Sequence, residues 1–117
     1  MTLAANVAVG FIAVEHVWIL VLEMFLWNTP FGRKTFGLEP AFAKETAPLA
    51  MNQGLYNGFL AAGLAWGLYL GAWQVKLFFV GCVLVAGIFG GLTATRSILV
   101  IQALPAAIAL ALLLLSR

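Results

Sequence analysis

Four long apolar stretches, separated by short polar breaks, set the pattern of this chain. The first, residues 3–27, is interrupted only by Asn6, Glu15, His16 and Glu23. It exceeds the roughly 20 apolar residues that a helix needs to cross a bilayer. Asn28, Thr29 and Pro30 end it, because the residue before a proline avoids helical backbone. The other stretches are residues 47–73, 77–95 and 97–115. Thr46 offers an N-cap to the second, with Pro48 in its first turn. Gln74 and Lys76 mark one tight turn, Arg96 and Ser97 the next, and Pro105 is expected to bend the last helix. Residues 28–46 form the one long connection. They mix Arg33, Lys34, Glu39, Lys44 and Glu45 with Phe31, Phe36, Leu38 and Phe42, as a segment lying at a membrane interface does. The pattern predicts an all-α membrane protein, a compact four-transmembrane-helix bundle forming one domain over residues 1–117.

Composition agrees. The chain is 64% hydrophobic and 9% charged, against about 25% charged in a soluble domain. A net charge of +2 spread over six scattered basic residues forms no patch, so no nucleic-acid partner is expected. Cys82 is the single cysteine, which excludes a disulfide framework. The first stretch lacks a basic leader and carries two acids, so it is expected to persist as a membrane span. Arg33, Lys34, Lys44 and Arg96 fall on one side of the predicted membrane, Lys76 and Arg117 on the other. The positive-inside rule then puts residues 28–46 in the cytoplasm and both termini outside.

Glu15, His16 and Glu23 change the picture from a generic bundle to one with a site. An ionisable group near the bilayer centre costs roughly 2.5–3.5 kcal/mol on insertion scales, so these three should face the bundle interior. His16 and Glu23, seven apart, share a helix face; Trp27 follows four residues on, and Glu15 lies about 100° round from His16. Asn52, Gln53, Tyr56 and Asn57 open the second helix, Arg96 closes the third, and Gln102 lies early in the fourth. By rise per residue these fall in the same half of the bilayer. They predict a one-sided polar pocket opening toward residues 28–46 and floored by Glu15 and His16. Glu15, His16 and Glu23 are the catalytic candidates. Trp27, Asn52, Gln53, Tyr56, Asn57, Arg96 and Gln102 are the ligand-binding candidates.

Plainer roles compete. Gln53, Asn57 and Gln102 equally suit inter-helix hydrogen bonding, worth about 0.6 kcal/mol per contact. Arg96 also reads as a snorkelling turn residue, and His16 as a satisfied core histidine. The glutamates resist this, since Gln or Leu would fill the same space without a burial penalty. His16 with Glu15 or Glu23 lacks a second histidine or a thiol, so no metal is expected. No cofactor fingerprint occurs either. Gly63, Gly67 and Gly71, with the pairs Gly54/Gly58 and Gly87/Gly91, recur at four-residue spacing. They predict close helix packing within the chain, or a homodimer through the glycine-rich faces.

Glu15–His16, Leu22–Glu23–Met24, Trp27, the run Asn52–Gln53–Gly54–Leu55–Tyr56–Asn57 with Phe59–Leu60–Ala61, Thr93 to Arg96, and Gln102 with Pro105–Ala106 resemble a bacterial family of small four-helix membrane proteins. That family is known as domain of unknown function 1304. The resemblance implies four spans and a location in the bacterial inner (cytoplasmic) membrane; it brings no activity. Small multidrug exporters share the length, four spans and a helix-1 glutamate. This chain departs from them in its second glutamate, its histidine, its amide-rich second helix and its long connection. Three functions fit the residues. The protein binds or processes a small apolar or lipid-like molecule by Glu/His acid–base chemistry, moves a small solute coupled to protons, or serves as a structural or accessory subunit. The one-sidedness of the polar groups favours the first over a transporter.

Overall fold

In the computed structural model, which describes residues 2–117, all regular structure is helical and no strand occurs among the described residues. Helix α1 is Thr2–Met24, α2 Pro30–Phe36, α3 Pro40–Leu70, α4 Trp73–Thr93 and α5 Leu104–Leu115. A π-helical segment, Leu99–Ala103, leads directly into α5. The helices belong to two compact units, Met1–Val14 with Leu60–Arg117, and Glu15–Phe59.

The first unit is held by a core of Ala5, Val9 and Ile12 from α1, Leu64 from α3, Val80 and Val83 from α4, and Ala106, Ala109 and Leu113 from α5. Within each helix these residues are spaced by three, four or seven, the spacing of one helical face. Small residues let the backbones approach. Gly63 faces the ring of Phe79, Gly67 faces Lys76, and Gly91 faces Leu99. A Cβ on Gly87 would lie 2.8 Å from the nitrogen of Ala103 and 3.0 Å from its Cα. Those are backbone atoms and cannot rotate aside. Gly87→Ala is therefore expected to destabilise the protein by about 1–3 kcal/mol. Thermal unfolding of the detergent-solubilised variant checks this, and an unchanged midpoint would show that α4 and the π-helical segment separate freely. Gly71 closes α3 at φ +63°, where a side chain is strained.

The irregularity expected at Pro105 is carried by the π-helical segment Leu99–Ala103 just before it. Pro105 has no N–H, and its ring crowds the carbonyl one turn back. The wider π turn relieves this: the Leu104 N–H reaches Leu99, five residues earlier.

The second unit differs most from the sequence-based expectation. Residues 28–46 were expected as a connecting segment; most are helical, in α2 and the first turns of α3. Thr29 caps α2, accepting from the Gly32 N–H at 3.1 Å, and Pro30 takes the first turn, where a missing N–H is harmless. Gly37, at φ +67° and ψ +42°, terminates α2. Pro40 then opens α3, so Pro48 lies inside a helix and Thr46 is no N-cap. The Thr46 hydroxyl instead donates to the Phe42 carbonyl at 2.7 Å.

Two helices, Thr2–Met24 and Trp73–Thr93, are long and apolar enough to cross a membrane, with mean hydropathies of 1.9 and 2.2. The other two expected spans fall short of that standard. α3 carries Lys44, Glu45, Asn52, Gln53 and Asn57 in its first half. Leu99–Leu115 is apolar but shorter.

Candidate functional site

The second unit gathers most of the polar candidates. α1 presents His16 and Glu23 about two turns apart on one face. α3 meets this part of α1 through glycines: a Cβ on Gly54 would lie 3.2 Å from that of Glu23, and one on Gly58 2.7 Å from a methyl group of Leu20. Asn57, between the two glycines, donates from Nδ2 to Glu23 Oε1 at 2.5 Å. His16 is fully buried. Glu15 is partly buried, and its Oε1 has no hydrogen-bond partner among the described residues.

The other candidates are placed differently. Trp27 braces the junction of three helices: its Nε1 donates to Thr46 Oγ1 at 3.1 Å and its ring lies 4.9 Å from that of Phe36. Asn52, Gln53 and Tyr56 are exposed, with Tyr56 beside Phe59 at 6.1 Å between ring centroids. Arg96 and Gln102 belong to the first unit. Arg96 is exposed in the turn after α4. Gln102 donates from Nε2 to the Val83 carbonyl at 3.2 Å, joining the π-helical segment to α4 as an inter-helix hydrogen bond. Of the amides on α3, only Asn57 is hydrogen-bonded to Glu23.

Glu23 thus has one carboxyl oxygen bound by an amide, which fixes the group's orientation. Its other oxygen retains acceptor capacity for a proton or a ligand donor. A partly buried carboxyl and a buried imidazole on one helix face are the residue types that general acid–base chemistry uses. Among the described residues no three His, Cys, Asp and Glu side chains are grouped to hold a metal ion.

Lys76 escaped the sequence reading. It was expected at a turn, setting topology. In the structure it lies in the first turn of α4, is 5% exposed, and donates from Nζ to Asn6 Oδ1 at 2.9 Å. The signal available was its position three residues after Trp73, one turn along the same face.

Together these features define an all-helical protein with two membrane-compatible helices and a Glu–Asn pair joining α1 to α3. The chain belongs to the family described as protein of unknown function (DUF1304), whose model matches residues 10–114. It is 30% identical over 107 residues to the uncharacterized protein YpaA of Lactococcus lactis subsp. lactis, covering 87% of this chain and 89% of that protein. No solved structure matches.

Proposed function

We propose that this chain is a four-span protein of the bacterial inner membrane, with residues 28–46 on the cytoplasmic side. There it binds or processes a small apolar or lipid-like molecule. Glu23 and His16 act as the acid–base pair, Glu15 as a second acid, and Asn57 as the amide that orients Glu23. The observation that supports this most is the Glu23–Asn57 hydrogen bond between two helices, on the face of α1 that carries the fully buried His16 two turns away. Isolated acids in an apolar helix are retained against a penalty of several kcal/mol, and such residues are functional candidates by default.

The test is retention of a bound molecule. Glu23→Gln preserves volume and an acceptor for Asn57 while removing the acid; His16→Leu removes the imidazole. Protein purified in detergent is extracted with organic solvent and analysed by mass spectrometry. A wild-type-specific compound should fall roughly tenfold in both variants, about 1.4 kcal/mol of binding. Equal retention by all three proteins would make the pair structural, as in an accessory subunit. Glu23-dependent proton uptake into liposomes, without any retained compound, would favour the transporter.

A further inference from the structure

The four acidic residues of this protein are Glu15, Glu23, Glu39 and Glu45. All lie in the second unit, so the first contains no carboxylate side chain. Yet that first unit buries a cation. Lys76 is 5% exposed, and the hydrogen-bond acceptor it meets among the described residues is the neutral amide oxygen of Asn6, at 2.9 Å. An ammonium carries three donors, and a buried charge is normally answered by an opposite one.

Lys76 lines a cleft of about 230 Å³ together with Trp73, Gln74, Ser116 and Arg117. Arg117 supplies a second cation. Its guanidinium carbon sits 4.4 Å from the centre of the Trp73 ring. Trp73 is itself fixed, donating from Nε1 to the Leu113 carbonyl at 2.8 Å. Stacking holds a guanidinium by its flat face and leaves its N–H edge available. The cleft also lies at the start of α4, where Ala72 provides no side-chain cap and the first N–H groups lack helical acceptors. Two cations and a fixed aromatic ring line one concave site at the start of α4.

We propose that this cleft binds a phosphate-type anion, held by the Lys76 ammonium and the edge of the Arg117 guanidinium. Tetrahedral oxygens of high charge suit a point cation, a fork of N–H groups and a helix start together. The phosphate is either free or the headgroup of an anionic lipid. The site lies wholly in the first unit and does not depend on the Glu23 assignment.

The experiment uses the full chain in two settings. In phospholipid-free detergent, inorganic phosphate is titrated at constant ionic strength, with chloride as control. In nanodiscs of phosphatidylcholine with and without phosphatidylglycerol, lipids retained on the protein are counted by native mass spectrometry. A response to phosphate identifies a soluble ligand; selective retention of phosphatidylglycerol identifies a headgroup; either supports the site. Arg117→Gln should weaken whichever response is seen by roughly tenfold, as the loss of one charge-assisted contact does. Asn6→Asp is the sharper variant. It gives Lys76 an internal carboxylate at the same position, so folding is preserved while the anion is displaced, again by roughly tenfold or more. Lys76→Gln should behave likewise where it folds; the other two variants carry the test where it does not. Absence of any preference for phosphate over chloride and for phosphatidylglycerol over phosphatidylcholine would overturn the proposal. So would undiminished binding by both Asn6→Asp and Arg117→Gln.

Discussion

Asn6→Leu is expected to cost the fold about 3 kcal/mol or more, although it replaces a polar residue in an apolar helix by a better helix former. The reason lies on the other helix. Asn6 Oδ1 is the acceptor for the buried Lys76 ammonium, and its removal takes away the hydrogen-bond acceptor that this cation has among the described residues, in a unit with no acidic side chain. Removing one partner of a buried polar pair is far costlier than removing both. Lys76→Met keeps the stem that fills the space opposite Gly67 and discards the charge, so it should be tolerated better. The double variant Asn6→Leu/Lys76→Met should be about 1–3 kcal/mol more stable than the sum of the two single losses, within the range of coupling between residues in contact. Unfolding midpoints of the four proteins in one detergent give the cycle. A double variant as unstable as the sum of the single ones would mean that Asn6 and Lys76 do not interact in the folded protein.

The same pair shows where sequence reading reaches its limit. Helical character is legible because long apolar runs and their breaks determine it: α1 is Thr2–Met24, α4 begins at Trp73 where the sequence pattern starts a helix at 77, and an apolar helical stretch covers Leu99–Leu115. The helical character of residues 30–36 was also encoded, by Thr29 as cap, Pro30 at the first position and Gly37 at the end. The same Pro30 equally terminates the preceding helix, and that meaning masks the other. Pro40 and Pro48 compete for the start of α3, and composition does not rank them. For side chains the obstacle is different. Glu23 and Asn57 are 34 residues apart; depth along two helices groups Glu23 with at least two of Asn52, Gln53, Tyr56 and Asn57, and Asn57 is the one hydrogen-bonded to it. Depth alone gives no azimuth, however, so Asn52, Gln53 and Tyr56 shared the expectation and lie exposed on α3. Gln102 met a backbone carbonyl, a partner that leaves no trace in sequence. Lys76 was read by its position at a turn. Its burial follows from the space left by Gly67 and the acceptor on Asn6, both distant along the chain.

Gly32→Ala should be among the most damaging single-methyl substitutions in the second unit. Gly32 is buried, and an added Cβ would overlap the Leu26 carbonyl oxygen and lie 2.7 Å from the Leu26 carbonyl carbon and 2.9 Å from the Trp27 oxygen. All three are backbone atoms of the turn that follows α1. They are held there: Leu26 N–H bonds Val21 at 3.2 Å, and the Leu26 oxygen accepts from Thr29 Oγ1 at 2.6 Å. The methyl group can be accommodated only by lifting α2. That breaks the Thr29 cap on Gly32 and draws Phe36 from Trp27. Overpacking costs about 1–3 kcal/mol and a lost cap typically about 1, so a loss of about 3 kcal/mol is expected. Gly37→Ala supplies the comparison. Nothing lies within 4 Å of its added Cβ, and the penalty is the left-handed backbone at φ +67°, about 1–2 kcal/mol. Limited trypsin digestion reads the local effect: cleavage after Arg33 and Lys34 should accelerate in Gly32→Ala well beyond Gly37→Ala. If the two variants unfold at the same midpoint and are cut at the same rate, α2 does not rest on the turn after α1, and Trp27 does not brace that junction.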